Sequence, residues 1–222
     1  MTLDIRLDPI EARLFGVLIE KALTTPDQYP LTVNSATNGA NQKSNRDPIL
    51  SLSEDEVEAA LARLEQKYMA RKVFPMNSRV EKYCHNGKDA LALDAPALAV
   101  LAELLMRGPQ TPGDLRGRAG RMAPIESLDQ LTAILSILME RDFVRRLPAV
   151  PGGRAERYMQ LLSPDLHPIA PESDRAASVA AMGRTSATPE GQELQGRVAA
   201  LESEVQSLRD QVRAIAERLG MA

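Results

Sequence analysis

The sequence predicts a mainly α fold with small β-hairpin wings, α+β in class: two tandem winged helix-turn-helix domains followed by a C-terminal coiled-coil helix. Three observations carry this. Ser78-Arg79-Val80-Glu81-Lys82-Tyr83 returns as Gly153-Arg154-Ala155-Glu156-Arg157-Tyr158, offset by 75 residues. Both copies stand at the end of the same succession of helical and alternating patterns, and such self-similarity decides a fold before any local reading does. Finally, Leu194, Val198, Leu201, Val205, Leu208, Val212, Ile215 and Leu219 recur at alternating steps of four and three, a heptad seam.

Within each copy the elements follow in order. A first helix is marked by Leu14, Phe15, Leu18 and Ile19, and again by Leu98, Leu101, Leu104 and Leu105, the spacing of a core-facing stripe. Short second helices are predicted over Thr32 to Asn41 and Pro112 to Arg121, and long third helices over Ser53 to Met69 and Ile125 to Arg141. Two alternating strands close each module: Arg71 to Phe74 with Arg79 to His85, and Phe143 to Val150 with Arg154 to Leu162. Pro151-Gly152-Gly153 supplies the second turn. These elements place a first winged-helix domain at residues 1–90 and a second at 91–163. A flexible linker, rich in Pro, Ala, Ser and Thr, is expected over 164–192, and the coiled-coil helix over 193–220.

In the heptad, Val198, Val205 and Val212 fall at a and Leu194, Leu201, Leu208 and Ile215 at d. β-Branched a with Leu at d favours a parallel two-stranded coil, so the expected first partner is a second copy of the chain. Arg197 facing Glu202, and Glu204 facing Arg209, agree with parallel register. The alternative is an amphipathic helix packed on its own protein, which usually shows a wider apolar stripe.

Composition narrows the function. The 222 residues are 44% hydrophobic and 26% charged, with 3% aromatics and no Trp, so the core is aliphatic. No apolar run approaches the ~20 residues that cross a bilayer, and Met1 to Arg6 lacks a signal-peptide pattern, so a cytoplasmic protein without membrane contact is expected. One cysteine and two histidines speak against a disulfide or a zinc site; no metal and no cofactor is expected. Cys84 and His85 are strand neighbours that point to opposite faces, and read as a buried thiol and a surface imidazole. No nucleophile elbow, phosphate loop or dinucleotide fingerprint is present, and no enzyme activity or catalytic residue is expected.

A winged helix usually docks its third helix in the major groove. Here Ser53 and Glu56 form a capping box, but Ser53-Glu54-Asp55-Glu56 and Ile125-Glu126-Ser127-Leu128-Asp129 put carboxylates where phosphates must approach. The basic residues lie elsewhere: Arg71, Lys72, Arg79 and Lys82 on the first hairpin, Arg116, Arg118 and Arg121 near the second helix of the second copy, and Arg145, Arg146, Arg154 and Arg157 on the second wing. Arg141 lies nearby. These are the candidate nucleic-acid contacts, and also the charges any solvated ribbon would carry. Tyr83 and Tyr158 are expected to pack under their wings rather than stack on bases.

The stretch Thr32 to Pro48 carries four asparagines, Asn34, Asn38, Asn41 and Asn45. The offset between copies falls from 86 at the first helix to 74 at the third, so the first copy carries roughly twelve extra residues, about seven over Thr24 to Pro30 and about five after the second helix. Thr32 reads as an N-cap, Ala36 and Ala40 as the buried side, and Asn41 to Pro48 as an enlarged turn. Asn38, Asn41 and Asn45 suit that turn or a ligand, and Lys43 and Arg46 are its candidate contacts to phosphate.

Thr24-Thr25-Pro26-Asp27-Gln28-Tyr29-Pro30-Leu31, Asn41-Gln42-Lys43-Ser44-Asn45-Arg46-Asp47-Pro48 and Ser78 to His85 resemble the signature of the functionally uncharacterised YceH family of bacterial proteins. Arg107-Gly108-Pro109-Gln110-Thr111-Pro112-Gly113-Asp114-Leu115 resembles its second-module motif. The match runs from about Leu7 to Ser163, and the heptads also fit. Gly39 stands where an apolar residue is more usual, and Gln160 where His is. The resemblance implies tandem winged helices and brings no catalytic residues. Two readings stay open: a homodimer that binds double-stranded DNA as a regulator, and a scaffold that binds other proteins. The pI of 5.6 and the acidic third helices favour the second, the basic wings the first.

Overall fold

The computed structural model describes residues 5–76, 80–149 and 155–169. In chain order the elements are α1 (Pro9–Thr24), a 3₁₀ turn (Pro26–Gln28), α2 (Val33–Ala40), α3 (Glu54–Gln66), β1 (Ala70–Val73), β2 (Lys82–His85) and α4 (Gly87–Leu91). There follow α5 (Ala95–Arg107), α6 (Pro112–Ala119), α7 (Leu128–Glu140), β3 (Val144–Leu147), β4 (Arg157–Gln160) and a final 3₁₀ turn (Pro164–Leu166). The class is α+β, mainly helical with small antiparallel hairpins, compatible with winged helices. The order helix, helix, helix, hairpin occurs twice.

Local chemistry starts each helix. Asp8 caps α1 by accepting from the amides of Ile10 and Glu11, and Glu11 Oε2 accepts the Asp8 amide in return. The same reciprocal box, Ser53 with Glu56, begins α3, and Thr32, Asp94, Thr111 and Ser127 cap α2, α5, α6 and α7. Positive φ at Tyr68 and Asp142 follows α3 and α7, so each third helix ends before its strand.

The hairpins are short. β1 pairs with β2 from Ala70↔His85 to Val73↔Lys82, and β3 with β4 from Val144↔Gln160 to Leu147↔Arg157. Each gains a one-residue bridge on the outer side of its second strand. Leu31 exchanges backbone bonds of 3.1 and 2.7 Å with Tyr83, and Gln110 exchanges bonds of 3.1 and 2.8 Å with Tyr158. The two tyrosines are buried at equivalent places in the repeat, as their spacing predicts.

The repeats share one core. α1 buries nine consecutive residues, Glu11 to Ile19, and α5 buries Ala97 to Met106 without a break. Helices covered on every side must lie inside, and these two lie against each other. Gly16 permits the approach, because a Cβ there would stand 3.0 Å from Met106 Cγ and 3.3 Å from Leu105 Cβ. Each fully buried Leu, Ile or Phe along this seam contributes roughly 1.5–3 kcal/mol. Further bonds cross from repeat to repeat: the Leu7 amide donates to Leu162 O and the Asp47 amide to Met106 O, both at 2.8 Å. Met1–Pro168 is accordingly one compact unit, and the boundary drawn near residue 90 falls inside it.

Three details differ from the sequence reading. The sequence gives no sign of α4. α7 begins at Leu128 instead of Ile125, because the cap is Ser127. The predicted linker starts too early, since Leu166 and His167 are buried and extend the packed unit past Ser163. Gln160 holds that exit, its Nε2 donating to Ser163 O at 2.6 Å while its Oε1 accepts the Ser163 amide at 2.8 Å. The coiled-coil residues Leu194 to Leu219, and Arg79 and Arg154, lie outside the described residues.

Candidate nucleic-acid interface

α3 turns five carboxylates to solvent: Glu54, Asp55, Glu56, Glu58 and Glu65. Glu54 also holds Asn34 of α2 at 2.7 Å. Hydrogen bonds from the Ser53 amide and hydroxyl hold Glu56 below the ordinary carboxylate range, so it is charged at neutral pH. The inner side of α3 is apolar, with Val57, Ala60, Leu61 and Leu64 buried, and its C-terminal end is basic. Arg63 and Lys67 reach the buried Glu11 at 3.1 and 2.6 Å, which spends both cations on architecture.

On the first wing Arg71 is exposed and Lys82 half-buried. Lys72 pairs with Glu81 at 2.7 Å and lies 5.6 Å from the Tyr83 ring centroid. Cys84 and His85 are not aimed at each other: the thiol turns to Arg71 O at 3.6 Å, while His85 Nδ1 accepts the Gly87 amide at 3.2 Å. The imidazole is half-buried rather than on the surface, and burial lowers its pKa.

The asparagine-rich turn corrects one expectation. Lys43 is exposed, but Arg46 lies inside, with its side chain 0% exposed. Its Nε donates to Gly39 O at 3.0 Å, and its Nη2 meets Glu20 Oε2 at 2.6 Å. A guanidinium so enclosed cannot reach a phosphate while the turn is folded. Asn41 matches it in role, exchanging a pair of 2.8 Å bonds with the backbone of Leu52. Asn45 takes the left-handed backbone, φ 62°, that the turn requires. Asn38 remains exposed.

In the second repeat the basic residues converge. Arg107 at the end of α5 makes a 2.9 Å ion pair with Glu103 whose geometry is not that of a hydrogen bond. Burial raises the pKa of Glu103 and lowers that of Arg107, and both lie within the electrostatic reach of Arg118 and Arg121. Arg118 is anchored by Gln110 Oε1 at 2.6 Å. Arg121 is exposed and has no side-chain hydrogen bond among the described residues. Arg116 reaches back to Glu126 O at 2.8 Å and Ile125 O at 3.4 Å, so it also fixes the turn into α7.

On the second wing Arg145 and Arg146 are exposed, the latter 3.3 Å from Glu156, and Arg157 is half-buried. Thus Arg116 and Arg118 lie on α6 with Arg121 just after it, and Arg145, Arg146 and Arg157 lie on the hairpin of the same repeat. Arg107 was missed by the sequence reading, although Glu103 four residues before it is a spacing that pairs on a helix.

The family model described as "Protein of unknown function, DUF480" matches residues 7–153. A UPF0502 protein of Koribacter versatilis is 45% identical over 205 residues, covering 91% of this chain and 90% of the relative. UPF0502 proteins of Aeromonas hydrophila and Klebsiella pneumoniae are each 40% identical, over 98% and 95% of this chain and 98% and 96% of their own length. The chain therefore belongs to this family of bacterial proteins, the YceH or UPF0502 family.

Proposed function

We propose that this protein binds double-stranded DNA as a regulator-like homodimer, through tandem winged helices of which the second makes most of the contact. The contrast in charge between the end of α5 with α6 and the acidic α3 carries the reading. From Arg107 to Arg121 the second repeat has four arginines and one carboxylate, Asp114, whereas Ser53 to Gln66 in the first has five carboxylates and one arginine. Phosphate contact supplies the sequence-independent part of binding and requires surplus cations. The edge around α6, with Arg118 and Arg121, and the wing with Arg145 have that surplus, and the outer face of α3 does not. The heptad residues Leu194, Val198, Leu201, Val205, Leu208, Val212, Ile215 and Leu219 would join two copies, doubling the cationic edges on one assembly.

A mobility-shift titration with random-sequence duplex DNA tests this. A complex at low salt that dissociates steeply as salt rises is expected. A second reading is favoured by the acidic α3 face alone: five exposed carboxylates suit a basic protein surface, and the chain would then be an interaction scaffold. No complex with DNA at low salt selects that reading.

A further inference from the structure

A cavity of about 290 Å³ lies between the C-terminal half of α1 and α2, beside the 3₁₀ turn at Pro26–Gln28. That turn belongs to the insertion Thr24 to Pro30. In the second repeat Gly108, Pro109 and Gln110 lead almost directly from α5 to α6, so no equivalent wall exists there. That wall of the cavity is therefore a feature of the first repeat among the described residues. Its volume is at the low end for ligand sites and suits one small molecule.

The lining defines the chemistry. Leu31 is the buried apolar part, and Lys21, Gln28, Ser35, Asn38 and Gln42 are polar. Gln28 and Gln42 have no side-chain hydrogen bond among the described residues, so both amides keep their donors and acceptors. Asn38 spends one N–H on Asn34 Oδ1 at 3.1 Å and keeps its carbonyl oxygen. Asn34 is fixed in turn by Glu54, which pre-organises the pair. Ser35 Oγ accepts from Thr32 at 3.0 Å and keeps its proton to donate.

Charge then selects the ligand. Glu20 Oε2 is shared by Arg46 at 2.6 Å and Lys21 at 3.4 Å, two cations on one carboxylate, which leaves one positive charge at the wall. A phosphate monoester brings a charge of roughly −1.5 to −2 at neutral pH and would leave a repulsive excess beside Glu20. A carboxylate brings one. We propose that this cavity binds a small organic monocarboxylate carrying hydroxyl or amide groups, with Lys21 meeting the carboxylate and Asn38, Ser35, Gln28 and Gln42 the neutral polar groups.

The proposal does not depend on DNA binding, and its test contains no DNA. Isothermal titration of the full chain uses D-gluconate and succinamate as carboxylate probes, glycerol 3-phosphate as the dianion and sorbitol as the uncharged control, at matched ionic strength. Saturable one-to-one binding of at least one carboxylate is expected, with none for sorbitol. Lys21→Met and Asn38→Leu should each weaken it about tenfold or more, while Lys21→Arg, which keeps the charge, should retain it. Absence of saturable binding by both carboxylates, unchanged affinity in Lys21→Met, or tighter binding of the phosphate would overturn the assignment.

Discussion

His167 Nε2 donates to the backbone carbonyl of Asp47 across 2.6 Å, joining the end of the second repeat to the enlarged turn of the first. A carbonyl can only accept, so the proton is on Nε2, and Nδ1 is buried without a partner among the described residues. The same oxygen accepts from Arg13 Nη2 at 2.9 Å, and burial pushes Arg13 down to about 10. Arg13 also reaches Pro48 O at 2.8 Å and Ala40 O at 3.4 Å. The enlarged turn of the first repeat is thus one of the pieces that hold the two repeats together, beside the packing of α1 on α5.

This lock gives a pH dependence. Burial lowers the pKa of His167, with Arg13 opposing a second positive charge and Asp47 favouring it, and burial also lowers that of His85. The unfolded chain then binds protons first as pH falls, so stability is full above about pH 6.5 and declines below it. Glu103, raised by burial, has the opposite sign and loses its contribution as pH rises through its folded value. Urea unfolding from pH 8 to 5 should show the decline, and His167→Gln should flatten part of it. A flat wild-type profile would contradict the buried neutral imidazole.

Glycine positions separate strain from propensity. Gly108 has φ 73°, and a Cβ there would stand 2.7 Å from His167 Cδ2, so Gly108→Ala should cost about 1–3 kcal/mol. Gly117 lies in α6, where a Cβ would meet nothing within 4 Å. Gly117→Ala should therefore stabilise by up to about 1 kcal/mol, and denaturant midpoints read both changes.

Arg46 and Lys43, three residues apart, should behave differently. Arg46→Ala leaves Glu20 and Gly39 O without their partner and should destabilise by about 3 kcal/mol. Lys43→Ala removes an exposed cation and should leave stability within about 0.5 kcal/mol. Equal thermal midpoints for the two variants would show that the turn does not depend on its buried guanidinium.

The heptad seam predicts the state of association. Because Leu166 and His167 are packed, the cut that spares the folded unit comes after Ile169 instead of after Ser163. Sedimentation equilibrium should give a dimer for the full chain and a folded monomer for residues 1–169. A truncated dimer would place the contact elsewhere.

Much of this architecture was legible because its signals are local. Ser53 with Glu56, Thr32, and the spacing of Tyr83 and Tyr158 announce themselves within a few residues, and the capping box and buried tyrosines follow. The one-residue rungs at Leu31 and Gln110 carry no alternation to detect. Arg46 read as a loop cation because its partner, Glu20, lies 26 positions away. The sharing of one core was half visible: Ala97 to Met106, broken only by Glu103, has no polar face to give to solvent. Arg118 and Arg121 were legible as basic residues, but their convergence on Glu103 and Arg107 exists only in three dimensions.

The proposed DNA contact depends most on the arginines of the second repeat, and the salt dependence of DNA binding measures them directly. Mobility-shift titrations should compare the full chain with Arg121→Gln and Arg145→Gln, both exposed in the folded unit. Each substitution should lower the slope of log K against log salt by about 1 without changing the thermal midpoint. Slopes identical to wild type in both variants, or no complex at low salt, would contradict DNA contact by this repeat.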